Sequence, residues 1–151
     1  PITEMISGFD LVKEQINVAS GKKLSVKQKD IKIKGHSIEC RINSEDPATF
    51  VPNAGSIKNY HAPGGFGVRI DSALYSGYKV PPNYDSLIAK LIVYGNNREE
   101  AILKLKIALK EYVIDGINTT LSLHEKIISE NEFISGNYDI RWLEKFLKNN
   151  D

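Results

Sequence analysis

An α+β fold, with a mostly antiparallel sheet flanked by helices towards the C-terminal end, is predicted by three patterns in the sequence. Polar and apolar residues alternate with period two from His36 to Asn43, as in a half-buried β-strand. From Ser86 to Tyr94 both faces are apolar, with Leu87, Ala89, Leu91 and Val93 on one and Ile88, Ile92 and Tyr94 on the other. That is the pattern of a central strand covered on both sides. Beyond Asn97, an N-cap with Glu100 at the capping-box position, Ile102, Leu105, Leu109 and Tyr112 form one stripe at helical spacing.

The remaining elements follow in order. Phe9, Val12, Ile16 and Ala19 predict a helix over about Asp10 to Ser20, which Gly21 can end in the left-handed conformation. Residues 21–30 are lysine-rich and polar and read as a linker, so 1–30 and 31–151 are taken as separate units. Ile31 and Ile33 alternate with Lys32 and Lys34, which allows strand pairing before Gly35. In the strand itself His36, Ile38, Cys40 and Ile42 share one face, and Ser37, Glu39, Arg41 and Asn43 the other. Pro47 ends the ladder. Ser56 to Tyr60 is a short strand candidate, His61 to Gly67 a turn, and Val68 to Ser72 a second strand. The glycines between them are read as the positive-φ residues of a hairpin. Asp115-Gly116 turns the backbone, and Thr119 and Thr120 start a helix with Leu123, Ile127 and Ile128 on its apolar side. A last helix from Asp139 buries Trp142, Leu143 and Phe146.

Composition narrows the function. Lys and Arg number 20 against 19 Asp and Glu, a formal net charge of +1, so no field is expected that would gather nucleic acid. A single cysteine, Cys40, excludes an intramolecular disulfide and fits a reducing compartment, hence the cytoplasm. His36, His61 and His124 lack metal-ligand spacing, and no metal site is expected. No apolar run reaches membrane-spanning length. Gly64-Gly65-Phe66-Gly67 has neither the ending nor the following helix of a phosphate cradle.

The candidate that remains is Arg41. A guanidinium at mid-strand, with the same-face acid Glu39 to hold its rotamer, suits a planar anion or a developing oxyanion; a solvated cross-strand ion pair is the alternative. Phe66 at the tip of a turn, with Arg69 close behind, suits an interface anchor. Asp85 reads as a turn-capping carboxylate or a functional one, and Lys90 as a structural cation reaching an acid or solvent.

Four ordered motifs carry a resemblance. Gly35-His36-Ser37-Ile38-Glu39-Cys40-Arg41-Ile42-Asn43-Ser44-Glu45-Asp46-Pro47 resembles the strand that opens the C-terminal domain of the biotin carboxylases. His61-Ala62-Pro63-Gly64-Gly65-Phe66-Gly67-Val68-Arg69 resembles that family's glycine-rich turn. Val80-Pro81-Pro82-Asn83-Tyr84-Asp85-Ser86-Leu87-Ile88-Ala89-Lys90-Leu91-Ile92 and Tyr112-Val113-Ile114-Asp115-Gly116-Ile117-Asn118-Thr119 resemble its later signatures. Pro1-Ile2-Thr3-Glu4-Met5-Ile6-Ser7-Gly8 is similar to the segment just after the family's bicarbonate-binding stretch, so the chain reads as part of something longer.

The resemblance implies a biotin carboxylase C-terminal domain over 31–151, preceded over 1–30 by a helical remnant of an ATP-grasp domain that has lost much of its partner surface. It implies an ATP-dependent ligase that carboxylates biotin on a carrier protein with bicarbonate, the first step of acetyl-CoA carboxylation in fatty acid synthesis. The corresponding domain of pyruvate or propionyl-CoA carboxylase, or a non-catalytic assembly module of the same fold, is the alternative. Arg41 matches the residue that contacts bicarbonate and biotin, with Glu39 in support. Phe66 and Arg69 match homodimer-interface positions. The ATP- and Mg-binding groups are implied to lie upstream of Pro1, so the chain alone is expected to bind neither and to be inactive.

Overall fold

The computed structural model of the chain describes residues 1–149; residues 150 and 151, the end of the second predicted unit, lie outside the described residues. In chain order the elements are helices α1 (Ile2–Ser7) and α2 (Leu11–Ala19), a single 3-10 turn (Gln28–Asp30), and strands β1 (His36–Asn43), β2 (Gly55–Ser56), β3 (Tyr60–His61), β4 (Val68–Ser72), β5 (Lys79–Val80) and β6 (Leu87–Gly95). Helix α3 (Arg98–Glu111), strand β7 (Val113–Ile114) and helices α4 (Leu121–Ile127), α5 (Asn131–Ser135) and α6 (Trp142–Asn149) complete it.

Strand β6 is central, as its two apolar faces predict. The main sheet runs β1-β6-β4, antiparallel throughout, with Cys40 and Ile70 both opposite Leu91. Because side chains alternate across a strand, Ile38, Cys40, Ile42, Ala89, Leu91 and Val93 fall on one face, where they pack with Ala101, Ile102, Leu105, Ala108 and Leu109 of α3. Helix α3 starts where expected, with the Asn97 side chain accepting the Glu100 amide at 2.9 Å. Its acid does not close a capping box; the Glu100 carboxylate instead accepts from the amide and side chain of Asn96 and pairs with Lys104.

The opposite face carries Glu39, Arg41, Lys90, Ile92, Arg69 and Asp71 in cross-strand rows: Glu39–Ile92–Arg69 and Arg41–Lys90–Asp71. Helix α1, which no periodicity in the sequence announces, lies over this face against β1 and β6. Ile92 is accordingly fully buried. Residues before 31 are thus not all detached from the sheet: the Lys34 amide also donates to the Ile6 carbonyl at 2.9 Å. Helix α2 differs. It forms as predicted, capped by Asp10 and closed by a Schellman arrangement in which the Gly21 and Lys22 amides donate to the Val18 and Asn17 carbonyls. None of its residues is buried, and Leu11, Val12, Ile16 and Val18 are exposed.

Several sequence expectations are corrected. Pairing begins at His36 rather than at Ile31, because Gly35 adopts φ 65° with the Gly95 carbonyl so close that a Cβ would collide with it. The single strand expected over Ser56 to Tyr60 is two: β2 pairs with β5 and β3 with β7, in separate two-stranded ladders. Consequently the glycine turn is not a hairpin, since β3 and β4 have different partners. Its positive-φ residues are real: Gly65 has φ 115° and Gly67 φ 80°, the latter packed so that a Cβ would lie 2.5 Å from the Tyr94 carbonyl. The last helix starts at Trp142, after a turn in which Asp139 caps the Arg141 amide. Trp142 and Phe146 form a second cluster with Leu123. Arg98 joins it to the body: the guanidinium donates to the Phe133 and Ile134 carbonyls, lies over the Phe133 and Tyr138 rings and meets His36 Nε2 at 3.2 Å.

Candidate functional site

Arg41 stands on the outer face of β1, its side chain exposed as the alternation predicts. Among the described residues no carboxylate pairs with it. Glu39, expected to hold its rotamer, makes no ion pair with it among the described residues, so the structure does not bring these two predicted partners together. Directly across the ladder Arg41 faces Lys90, whose own ammonium has no acid within ion-pair distance among the described residues. Asp71, the acid on the other side of Lys90, is taken by Arg69. Two like charges opposite one another on a sheet are destabilising unless something else neutralises them. This row is therefore poorly suited to a purely structural role and well suited to an anion.

What holds Arg41 is its backbone. Its carbonyl oxygen accepts from His124 Nε2 at 2.9 Å and from the Thr120 hydroxyl at 3.3 Å. Thr120 Oγ1 in turn accepts the Asn43 backbone amide at 3.0 Å, and the Thr120 amide donates to the Asn43 carbonyl at 3.1 Å. The ladder shifts register between Ile42 and Asn43, where β6 carries one extra residue, Ile88. Burial holds the His124 imidazole below its ordinary value, against the opposing effect of the bond to Arg41, so the ring is neutral at pH 7 and carries its proton on Nε2. Neither Thr120 nor His124 is a site candidate from the sequence; nothing in their spacing links them to β1.

Around the end of β1 most polar groups are paired locally, although the buried Asn43 Oδ1 has no partner among the described residues. Glu45 accepts from the Asn43 side-chain amide at 3.1 Å and from the Ser86 hydroxyl. Asp85 accepts the Leu87 amide at 2.8 Å, which is the turn-capping role. Cys40 is buried, its thiol pushed up to about 12 by desolvation and then by the Glu39 charge, which leaves it unreactive at neutral pH.

Phe66 is 90% exposed in the turn that precedes edge strand β4, and the Lys104 ammonium lies 5.2 Å from its ring centre. Arg69 is half-buried on β4 itself, on the face that α1 covers, bonded to Asp71 at 2.7 and 3.0 Å and to Glu4 at 3.2 Å. The two interface candidates thus flank one sheet edge rather than touching. No three His, Cys, Asp or Glu side chains come together as a metal-binding group among the described residues. No helix among them is long and apolar enough to cross a membrane.

Comparison with known proteins gives these elements a context. Residues 39–145 match the family model of the biotin carboxylase C-terminal domain. The chain is 56% identical to the biotin carboxylase of Haemophilus influenzae over 151 residues, covering all of this chain and 34% of that protein. It is 52% identical to a pyruvate carboxylase subunit of Methanothermobacter thermautotrophicus over 152 residues, covering all of this chain and 31% of that protein. The crystal structure of the Hydrogenobacter thermophilus 2-oxoglutarate carboxylase biotin carboxylase domain dimer, in complex with MgADP, ADP and bicarbonate, superposes with a TM-score of 0.92 at 47% identity, over 96% of this chain and 32% of that one. The chain spans about a third of the length of the curated relatives it matches.

Proposed function

The chain belongs to the biotin carboxylase C-terminal domain family, and from that premise we propose that it supplies one wall of a biotin-carboxylating active site whose other walls lie in the remaining two thirds of a longer enzyme. The observation that carries this reading is Arg41: an exposed guanidinium at mid-strand, inside the matched segment, with no carboxylate partner among the described residues and a main chain held by two side-chain donors.

In this reading Arg41 donates to the ureido oxygen of biotin, and to bicarbonate before it. Negative charge grows on that oxygen as N1 of biotin loses its proton, so a fixed cation stabilises the transition state more than the ground state. Lys90, across the ladder, adds to the positive potential of the same face. The described residues do not fit Mg-ATP: they offer no carboxylate grouping for the metal, and the glycine turn opens no helix at which phosphates could sit. In this reading ATP and magnesium are held by residues outside this chain.

In this reading biotin is presented on a carrier protein and the acceptor is acetyl-CoA, as the motif resemblance implies. The 52% identity to a pyruvate carboxylase subunit supports a second reading with pyruvate as acceptor; both share the biotin-carboxylating half-reaction. The exposed ring of Phe66, with Arg69 on the edge strand that follows its turn, forms the contact with a second copy in a cytoplasmic homodimer. A chimera tests the assignment. With this chain in place of the matching third of the Haemophilus influenzae relative, biotin- and bicarbonate-dependent ATP cleavage is expected. A folded chimera without that activity contradicts it.

A further inference from the structure

Resting on the reading of Arg41 given above, we propose that His124, together with Thr120, is a positioning residue for Arg41 that acts through its main-chain carbonyl. Strand β1 is at the edge of the main sheet, with β6 as its only partner there. Three backbone groups of this stretch are taken by α4 and its cap: Arg41 O by His124 Nε2 and Thr120 Oγ1, Asn43 N by Thr120 Oγ1, and Asn43 O by the Thr120 amide. A carbonyl only accepts, so the imidazole is fixed as the donor and the Thr120 hydroxyl gives its single proton to the same oxygen.

Two features separate this clamp from ordinary edge coverage. It closes on Arg41 and Asn43, on either side of Ile42, where the ladder shifts register because β6 carries one extra residue, Ile88. It is also the anchorage Arg41 has: among the described residues no side chain holds the guanidinium. A catalytic cation is productive only if its supporting groups hold it close to the required geometry. Here that support comes from α4 and its cap, 79 and 83 residues further along the chain.

The test is a double-mutant cycle in the full-length enzyme, read as kcat for carboxylation of free biotin with Mg-ATP and bicarbonate. His124→Leu is expected to lower kcat by about fivefold or more, with KM for ATP unchanged. His124→Gln, which keeps an N–H donor at a similar reach, is expected to stay within about twofold. In an Arg41→Ala background His124→Leu should then cost less than about twofold, because the residue it positions is gone. Equal losses in both backgrounds, or full activity of His124→Leu beside a crippled Arg41→Ala enzyme, overturn the proposal while leaving the role of Arg41 intact. Full activity of Arg41→Ala itself overturns the reading beneath it, and the proposal with it. Should His124→Leu not fold, Thr120→Val against Thr120→Ser, which loses and keeps the hydroxyl, carries the same cycle.

Discussion

Replacing Ile92 by Ala tests whether α1 truly covers the second face of the central strand. Ile92 and Leu91 are neighbours on β6, both fully buried, but on opposite faces. Leu91 packs into the α3 core and is held between Cys40 and Ile70 by ladders on both sides, so the site can collapse little after truncation. Leu91→Ala should cost about 3–4 kcal/mol, in the upper part of the usual range for large-to-small core changes. Ile92 sits under a six-residue helix and between the stems of Glu39 and Arg69, a cover able to settle into the gap. Ile92→Ala should cost less, about 2 kcal/mol. Exposed Ile107→Ala is the control and should stay within about 0.5 kcal/mol. Urea unfolding of the three variants, fitted with a common slope, gives the differences. An Ile92→Ala cost as small as that of the Ile107 control would mean that α1 does not bury this face in solution.

Three other outcomes are expected. His36 is held below its ordinary value of 6.5, first by desolvation and then by the Arg98 charge, so the folded chain binds its proton less readily than the unfolded one. Its contribution is complete above about pH 6.5 and lost as pH falls through the lower folded value; urea midpoints from pH 7.5 to 5 should decline, and decline less in His36→Gln. Phe66→Ala should weaken self-association of the full-length enzyme in sedimentation while altering monomer stability by about 1 kcal/mol or less; an unchanged dimer constant with a strongly lowered Tm would place the ring in a core instead. Calorimetric titration of the isolated chain with Mg-ATP should show no binding tighter than about 1 mM, roughly −4 kcal/mol, and a tighter site would undo the division of labour proposed above.

The parts of the fold legible in the sequence are those with enough length to display a period. Eight residues of alternation locate β1, nine doubly apolar ones β6, and a long stripe with a cap α3. The two-residue strands β2, β3, β5 and β7 have no period to read; they exist because distant partners meet, and Ser56 to Tyr60 accordingly reads as one strand. Helix α1 is invisible for a related reason, since six residues cannot show a stripe and its stability comes from the sheet beneath it. For the site, alternation puts Arg41 on the polar face correctly but does not say which acid it meets. Glu39, two residues away on the same face, is the local candidate, and it makes no ion pair with Arg41 among the described residues. The clamp from Thr120 and His124 is beyond reach, because hydrogen bonds to a main-chain carbonyl from so far along the chain leave no trace in local pattern.

The central claim rests on Arg41, and steady-state kinetics of biotin carboxylation by the full-length enzyme test it most directly. Arg41→Ala should lower kcat by roughly a hundredfold or more, about 3 kcal/mol of transition-state stabilisation, with a much smaller change in KM for ATP. Arg41→Lys should recover little of this, since one ammonium does not reproduce the planar fork of the guanidinium. A correctly folded variant of either kind with near-normal kcat and kcat/KM for biotin would make Arg41 a solvated strand residue and contradict the account.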